Sequence, residues 1–239
     1  YNMGALIAMY EHKVFVQVKR DDSIHPTISG NKWRKLKYNL NHVLGNKKIT
    51  GVLSFGGAYS NHIHALAFAC YQKGIPCVGF IRGEQHYENN CTLTQAKLWG
   101  MQLHFIDRKT YRRRHDTDYL TTLQQQYPNY FIVPEGGSNS LAITGVAEIL
   151  NELAQQASYD TLITPVGSGG TLAGLITGDI NTNTNVHKIL GIAVLKEADY
   201  LIESIQALLP KSASSHNKWQ LLTEFHRGGY AKFSALDIT

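Results

Sequence analysis

The sequence has no apolar run long enough to cross a bilayer. Its longest runs, at residues 162–166 and 189–195, fall far short of the ~20 residues that a spanning helix needs. Cysteine is scarce, with three in 239 residues, an odd count without metal-site spacing. These absences exclude a membrane-spanning helix here and argue against a disulfide framework or a metal site. They favour a reducing compartment, so we expect a cytoplasmic protein.

Charge and composition narrow the class of ligand. Hydrophobic residues make up 43% and charged residues 17%, which excludes a disordered chain. The net charge of +5 favours anionic ligands. The cluster Arg112-Arg113-Arg114 is too narrow for a nucleic-acid surface and is typical of a solvated surface turn, and no RNA-binding motif is present. We therefore expect a small-molecule substrate and neither nucleic acid nor membrane as a partner.

Hydrophobic periodicity predicts strands and helices in alternation. The predicted strands cover residues 12–19, 49–55, 76–81, 102–106, 130–133, 161–166 and 188–195. The predicted helices cover residues 31–44, 61–72, 91–98, 119–126, 141–156, 171–177 and 199–209. Such alternation is typical of an α/β fold with parallel sheets covered on both faces.

Lys32 lies at the start of the first predicted helix, in Gly30-Asn-Lys-Trp-Arg-Lys-Leu36. A helix start disfavours an ammonium group, and the charge of Lys35, on the same face, acts in the same direction. Lys32 is therefore a candidate neutral amine for Schiff-base chemistry. The alternative is a solvated lysine on an amphipathic helix.

Ser60 and Asn61 follow the glycine pair at 56–57, where the helix predicted at 61–72 begins. Backbone N–H groups at a helix start bind anions, and a substrate carboxylate suits such a site, whereas a simple helix cap is the alternative. The segment lacks Gly-x-Ser-x-Gly, which excludes a nucleophile elbow. His62 and His64 fall on different faces of the helix, which disfavours a metal pair.

A second glycine-rich turn follows the strand predicted at 161–166 and begins a helix. Glycines there let a phosphate approach the backbone, and hydroxyl groups add hydrogen bonds. No lysine follows the glycines, so the turn is not a Walker A motif, and Gly174 falls two positions late for Gly-x-Gly-x-x-Gly. A dinucleotide site with Glu197 as its acidic residue stays a disfavoured alternative. The candidate phosphate residues are Gly167, Ser168, Gly169, Gly170 and Thr171.

Taken in chain order, these motifs resemble the tryptophan synthase β-like (fold type II) pyridoxal-phosphate enzymes. Within that group the chain is similar to the 1-aminocyclopropane-1-carboxylate deaminase and D-cysteine desulfhydrase family. The Gly-Asn-Lys-x-Arg-Lys-Leu motif is fairly specific to this family. The resemblance covers nearly the whole chain, through Val18-Lys-Arg-Asp-Asp22, Gly30-Asn-Lys-Trp-Arg-Lys-Leu36, Gly56-Gly-Ala-Tyr-Ser-Asn-His62, Ile132-Val-Pro-Glu-Gly-Gly-Ser138, Gly167-Ser-Gly-Gly-Thr171 and Gly228-Gly-Tyr230.

The resemblance implies two three-layer α/β/α domains with mainly parallel sheets. The large domain would comprise residues 1–46 and 136–239, and the small domain residues 47–135, with the active site between them. Family members continue past Gly-Gly-Tyr with a helix and an Asp-Pro-x-Tyr-x-Gly-Lys motif. We therefore expect the intact protein to extend beyond both ends of this sequence. The resemblance also implies a homodimer.

The cofactor implied by the resemblance is pyridoxal 5′-phosphate. Lys32 would bind it covalently and Asn61 would hydrogen-bond its 3′-oxygen. Lys35 and the turn at 167–171 would hold its phosphate.

The resemblance also implies roles at the substrate. Ser60 would meet the substrate carboxylate and take part in proton transfer, with Asn61 and His62 beside it. Tyr230 matches a family tyrosine that acts as acid, base or nucleophile activator. Ser60, Lys32 and Tyr230 are thus the catalytic candidates.

The expected function is a lyase acting on a small amino acid. Deaminases of the family have glutamine where this chain has His62, and the tryptophan that they carry has no counterpart near residues 82–87. Both departures favour D-cysteine desulfhydrase-like α,β-elimination to a keto acid, ammonia and sulfide. The alternatives are 1-aminocyclopropane-1-carboxylate deaminase, a nucleotide-binding protein and an inactive family member.

Overall fold

The computed structural model describes residues 4–9, 14–182, 184, 186–211 and 217–226. The strands in these ranges are β1 (Gly4–Met9), β2 (Val14–Val18), β3 (Gly51–Gly57), β4 (Cys77–Arg82), β5 (Gln102–Ile106), β6 (Tyr130–Val133), β7 (Thr161–Val166), β8 (Lys188–Ala193) and β9 (Trp219–Leu222). The helices are α1 (Asn31–Gly45), α2 (Asn61–Lys73), α3 (Cys91–Leu98), α4 (Arg108–Arg112), α5 (Thr117–Gln126), α6 (Ser140–Ala154), α7 (Gly170–Thr182) and α8 (Tyr200–Leu208).

The strands form one antiparallel pair and two parallel sheets. β1 pairs with β2. The first parallel sheet has the order β5-β4-β3-β6 and the second has the order β7-β8-β9. The predicted α/β class with mainly parallel sheets is confirmed. β1, α4 and β9 are elements that the sequence patterns did not predict.

Helices cover both faces of the four-stranded sheet. Side chains alternate along its strands, so apolar side chains point to each face and are buried there by helices. Val52 and Ile81 point to one face, in a core shared with α1, α2 and α3. Leu53 and Phe80 point to the other face, where Tyr111 of α4 and residues of α5 cover them. This layering agrees with the continuous burial of β3 and β4.

The second core lies between the three-stranded sheet and the helices α6, α7 and α8. Helix α1 also packs against α6, and Arg34 fixes that packing. The Arg34 guanidinium is nearly fully buried and donates to Asp21 at 2.5 Å and to Glu152 at 2.9 Å. These charged hydrogen bonds tie α1 to the segment before it and to α6.

The carboxyl ends of β3, β4, β6 and β7 open onto one cavity, which also receives the starts of α1, α2 and α7. Ligands of parallel α/β sheets bind at this edge of the strands. Nowhere in the described ranges does a helix combine the length and apolarity that crossing a membrane requires.

Candidate active site

A cavity of about 680 Å³ lies at the ends of the parallel strands. Its wall includes Lys32 and Lys35 from α1, Asn61 from α2 and Thr171 from α7. The volume falls in the range of small-molecule sites. The structure therefore brings together three of the motifs that were singled out in the sequence.

The amine of Lys32 is buried in this cavity. The residue is 9% exposed, and its Nζ donates to the Gly136 carbonyl at 3.4 Å. Burial lowers the pKa of Lys32 to about 8, and the charge of Glu135 opposes that shift only in part. The expected cause was the helix start and the charge of Lys35, whereas the structure makes desolvation the main cause.

Lys35 lies deeper still, beside two serine hydroxyls. Its Nζ donates to the Gly136 carbonyl at 3.3 Å and to Ser138 Oγ at 3.1 Å. Ser138 Oγ and Ser168 Oγ are 2.8 Å apart. Burial, and then the charge of Lys32, lower the pKa of Lys35 well below its usual range. An anion placed here would restore the charged form of Lys35.

These polar atoms converge because two positions carry no side chain. A Cβ at Gly170 would lie 2.4 Å from Ser138 Oγ and 3.0 Å from Lys35 Nζ. A Cβ at Gly136 would lie 2.4 Å from Ser168 Oγ, and its φ of +69° favours glycine. Since α7 begins at Gly170, its first backbone N–H groups have no partner within the helix. The resulting cradle, made of an amine, two hydroxyls and N–H groups, is suited to a phosphate.

Two further features position the glycine-rich turn at residues 167–171. Gly169 has a φ of +78°, which lets the chain turn sharply before α7. Asn31 Nδ2 donates to Thr171 Oγ1 at 2.7 Å, which links the start of α1 to the start of α7. Gly167 and Ser168 line the same cavity.

The start of α2 forms another wall. Ser60 caps the helix, since its Oγ accepts from the Ile63 N–H at 3.3 Å. The capping alternative is therefore correct, and it is compatible with a site, because Ser60 and Asn61 also line the cavity. The leading N–H groups of α2 lack helical partners and are suited to a carboxylate.

His62 is buried between α2 and the sheet, and only 2% of it is exposed. Its Nε2 lies 2.8 Å from Ser54 Oγ. Its Nδ1 has no hydrogen-bond partner among the described residues. Burial, and then the charges of Lys32 and Lys35, lower the pKa of His62 well below its usual range.

Sequence reasoning missed the ionisable cavity residues Arg82, Arg114, His115 and Glu135, and also the hydroxyl of Ser138. Arg82 ends β4 and Glu135 follows β6, so the ends of parallel strands were a signal that could have found them. The expected solvated turn is wrong for Arg114, whose Nε donates to Glu135 at 2.5 Å. Tyr230 lies outside the described residues.

Comparison with known sequences decides the family. A profile of the family described as "Pyridoxal-phosphate dependent enzyme" matches residues 6–230. The chain belongs to the pyridoxal-phosphate dependent enzyme family. This confirms the resemblance drawn from the motifs, together with the fold type and the cofactor that the resemblance implied.

Several members of this family are similar to the chain. A putative 1-aminocyclopropane-1-carboxylate deaminase of Thermotoga maritima is 30% identical over 235 residues, which cover 93% of this chain and 74% of the relative. A D-cysteine desulfhydrase of Klebsiella pneumoniae is 27% identical over 207 residues, 83% of this chain and 62% of the relative. A crystal structure of an ACC deaminase homologue superposes with a TM-score of 0.77 at 26% identity, over 92% of this chain and 69% of that one.

Proposed function

We propose that the chain acts as a pyridoxal-phosphate dependent lyase on a small amino acid, by D-cysteine desulfhydrase-like α,β-elimination. One observation carries the proposal. A buried amine with a pKa of about 8, Lys32, lies in the same cavity wall as a cradle for phosphate and the start of a helix suited to a carboxylate. Neutral amine, phosphate site and carboxylate site are the three features that such a reaction requires.

Lys32 is the residue that binds the cofactor covalently in this proposal. Its desolvated amine is neutral in about half of the molecules near pH 8, so it is a competent nucleophile close to neutral pH. Lys35, Ser138, Ser168 and Gly170 hold the phosphate, with Gly167, Gly169 and Thr171 completing the turn. Asn61, at the start of α2, would hydrogen-bond the 3′-oxygen of the cofactor.

The substrate groups take the opposite wall. The α-carboxylate binds at the start of α2, where Ser60 and the unpaired N–H groups offer hydrogen bonds. The Lys32 amine would accept the α-proton, and Ser60 is the second candidate for that transfer. The bound cofactor supplies an electron sink for the developing negative charge. His62 holds the start of α2 against β3 through its hydrogen bond with Ser54. Tyr230 stays a predicted participant.

Desulfhydrase chemistry is preferred because this chain has His62 where deaminases of the family have glutamine. Of the two similar chains above, the one from Thermotoga maritima is named as a putative deaminase and the one from Klebsiella pneumoniae as a desulfhydrase. Deamination of 1-aminocyclopropane-1-carboxylate is therefore the second candidate. We also propose that residues 1–46 and 136–239 form one domain and residues 47–135 another, that two copies form a dimer, and that the protein is cytoplasmic.

The decisive assay offers both substrates to purified protein loaded with pyridoxal phosphate. D-cysteine should yield a 2-oxo acid, ammonia and sulfide, while 1-aminocyclopropane-1-carboxylate should yield no 2-oxo acid. Turnover of the cyclopropane substrate alone would overturn the substrate assignment. Absence of product from both would overturn the lyase proposal.

A further inference from the structure

Arg82 is a cation in the cavity wall that no part of the proposed reaction uses. It is the last residue of β4 and pairs in register with Gly57, the last residue of β3. The Arg82 side chain lies close to Gly57, since a Cβ built at Gly57 would be 3.6 Å from Arg82 Nη2. Gly57 begins the turn that leads to Ser60, so the guanidinium lies beside the proposed carboxylate site.

The side chain of Arg82 is exposed, and the groups around Tyr111 bond to one another rather than to it. Tyr111 Oη donates to Glu135 Oε1 at 2.5 Å, and Arg114 Nε donates to Glu135 Oε2 at 2.5 Å. Each oxygen of Glu135 thus already accepts a hydrogen bond from a residue other than Arg82. Among the described residues, the Arg82 guanidinium forms no ion pair with a carboxylate and donates no hydrogen bond.

The ring of Tyr111 fixes where this charge lies. The guanidinium carbons of Arg82 and Arg114 are 5.4 Å and 4.9 Å from its centroid. Such cation–π contacts orient an arginine without using its N–H donors. The donors of Arg82 thus stay available to a ligand in the cavity.

The order of strands places Arg82 relative to the two lysines and Ser60. The loop after β6 contacts Lys32 and Lys35, the loop after β3 leads to Ser60, and β4, on the far side of β3, ends at Arg82. Arg82 therefore lies on the opposite side of β3 from the loop that contacts Lys32 and Lys35. A substrate whose carboxylate binds at the start of α2 can extend its β-substituent toward this side.

We propose that Arg82 binds the leaving group of the substrate as that group departs as an anion, and that this contact accelerates elimination most when the leaving group is a poor one such as a thiolate. The inference rests on the proposed function. For D-cysteine, the α-proton passes to the Lys32 amine, and the electron pair of the broken Cα–H bond forms the Cα=Cβ double bond. The Cβ–S bond breaks, and its electron pair leaves with sulfur as HS⁻. Arg82 donates hydrogen bonds to that sulfur.

A kinetic comparison tests the role, because a good leaving group has little need of stabilisation. Arg82→Gln should lower kcat/KM for D-cysteine about 10- to 100-fold, the range of a hydrogen bond between charged groups, and for β-chloro-D-alanine by about threefold at most. Arg82→Lys should recover part of the loss. Arg108→Gln removes an exposed arginine of α4 outside the cavity and should change neither value. Equal losses on both substrates, or no loss, would overturn the role.

A binding measurement separates this inference from the proposed function. 3-Sulfopropanoate and butanoate have no amine, so neither reacts with the cofactor. By calorimetry, the loaded protein should bind the sulfonate at least about tenfold more tightly than butanoate, and Arg82→Gln should remove that difference. Equal affinities in the unmodified protein would overturn the anion site. A clear preference in a protein without turnover would retain the site and reject the lyase.

Discussion

His62 Nε2 lies 2.8 Å from Ser54 Oγ, and this contact fixes the tautomer of a buried histidine. Ser54 donates its only hydroxyl proton to the Val133 carbonyl at 2.7 Å. Its oxygen must therefore accept from His62, so the imidazole proton resides on Nε2. Nδ1 is left as an unprotonated acceptor, and the chain His62–Ser54–Val133 ties the start of α2 to β3 and β6.

The neutral state of His62 predicts a pH dependence of stability. Because the folded protein holds the pKa of His62 well below its usual range, the unfolded chain binds the proton more readily. Stability therefore falls as pH drops below the unfolded pKa of about 6.5, with a slope of up to about 1.4 kcal/mol per pH unit. Denaturant unfolding between pH 5 and 7 should show this slope, and His62→Gln should show a clearly smaller one, since His64 and His115 have pKa values that burial also lowers. The surface variant His86→Gln serves as control, and parallel curves for all three proteins would contradict the prediction.

Ser54→Ala should destabilise the protein by about 1–3 kcal/mol, since it leaves the buried Nε2–H of His62 without an acceptor. The free energy of unfolding measures this effect. Thr94→Ala, which removes an exposed hydroxyl bond, should change it far less. Similar values for both variants would show that the His62–Ser54 bond contributes little.

The pKa of Lys32 predicts how fast the cofactor is captured. Only the neutral amine attacks the aldehyde, so the rate should rise about tenfold per pH unit and level off above pH 8. Stopped-flow absorbance after mixing with pyridoxal phosphate gives the rate from pH 6.5 to 10. A rate that still climbs in proportion up to pH 10 would mean that the amine is not desolvated.

Lys35→Met should weaken binding of pyridoxal phosphate about 10- to 100-fold and leave binding of unphosphorylated pyridoxal nearly unchanged. Removing a fully buried amine also removes its desolvation, so the variant should unfold no more easily than the parent. Lys37→Met, which removes an exposed partner of Glu148, is the matched control. An equal loss for both ligands would place Lys35 away from the phosphate.

Gly170→Ala tests the cradle by filling it. The added methyl would lie 2.4 Å from Ser138 Oγ and 3.0 Å from Lys35 Nζ, so binding of pyridoxal phosphate should fall at least about tenfold. Gly45→Ala, at the end of α1 with no atom within 4 Å of its Cβ, should bind normally. Unchanged affinity in Gly170→Ala would exclude the cradle as the phosphate site.

The sequence patterns predicted most helices and strands because each had a periodic apolar face. They failed for two short elements, α4 and β9, and for the six-residue strand β1. Helix α4 has five residues and depends on its cap, Asp107, whose side chain accepts from the N–H groups of Lys109 and Thr110. Strand β9 has four residues and gains its pairing from β8. Among the strands that the structure describes, β1 pairs with β2 alone.

The candidate site divides in the same way. Contiguous motifs contain Lys32, Ser60 and the turn at 167–171, so the sequence alone was enough to select them. Glu135, Arg82 and Arg114 come from separate loops, and only the sheet order brings them into one cavity. The low pKa of Lys32 likewise needed the fold, since burial by distant segments causes most of it.

Lys32, rather than its neighbour Lys35, is the residue that we propose forms the covalent bond to the cofactor. Borohydride reduction of the loaded protein, followed by peptide mass mapping, measures this directly. We predict one added cofactor per chain, located on Lys32, and none in Lys32→Ala. A reduced adduct on Lys35, or a labelled Lys32→Ala variant, would contradict the account.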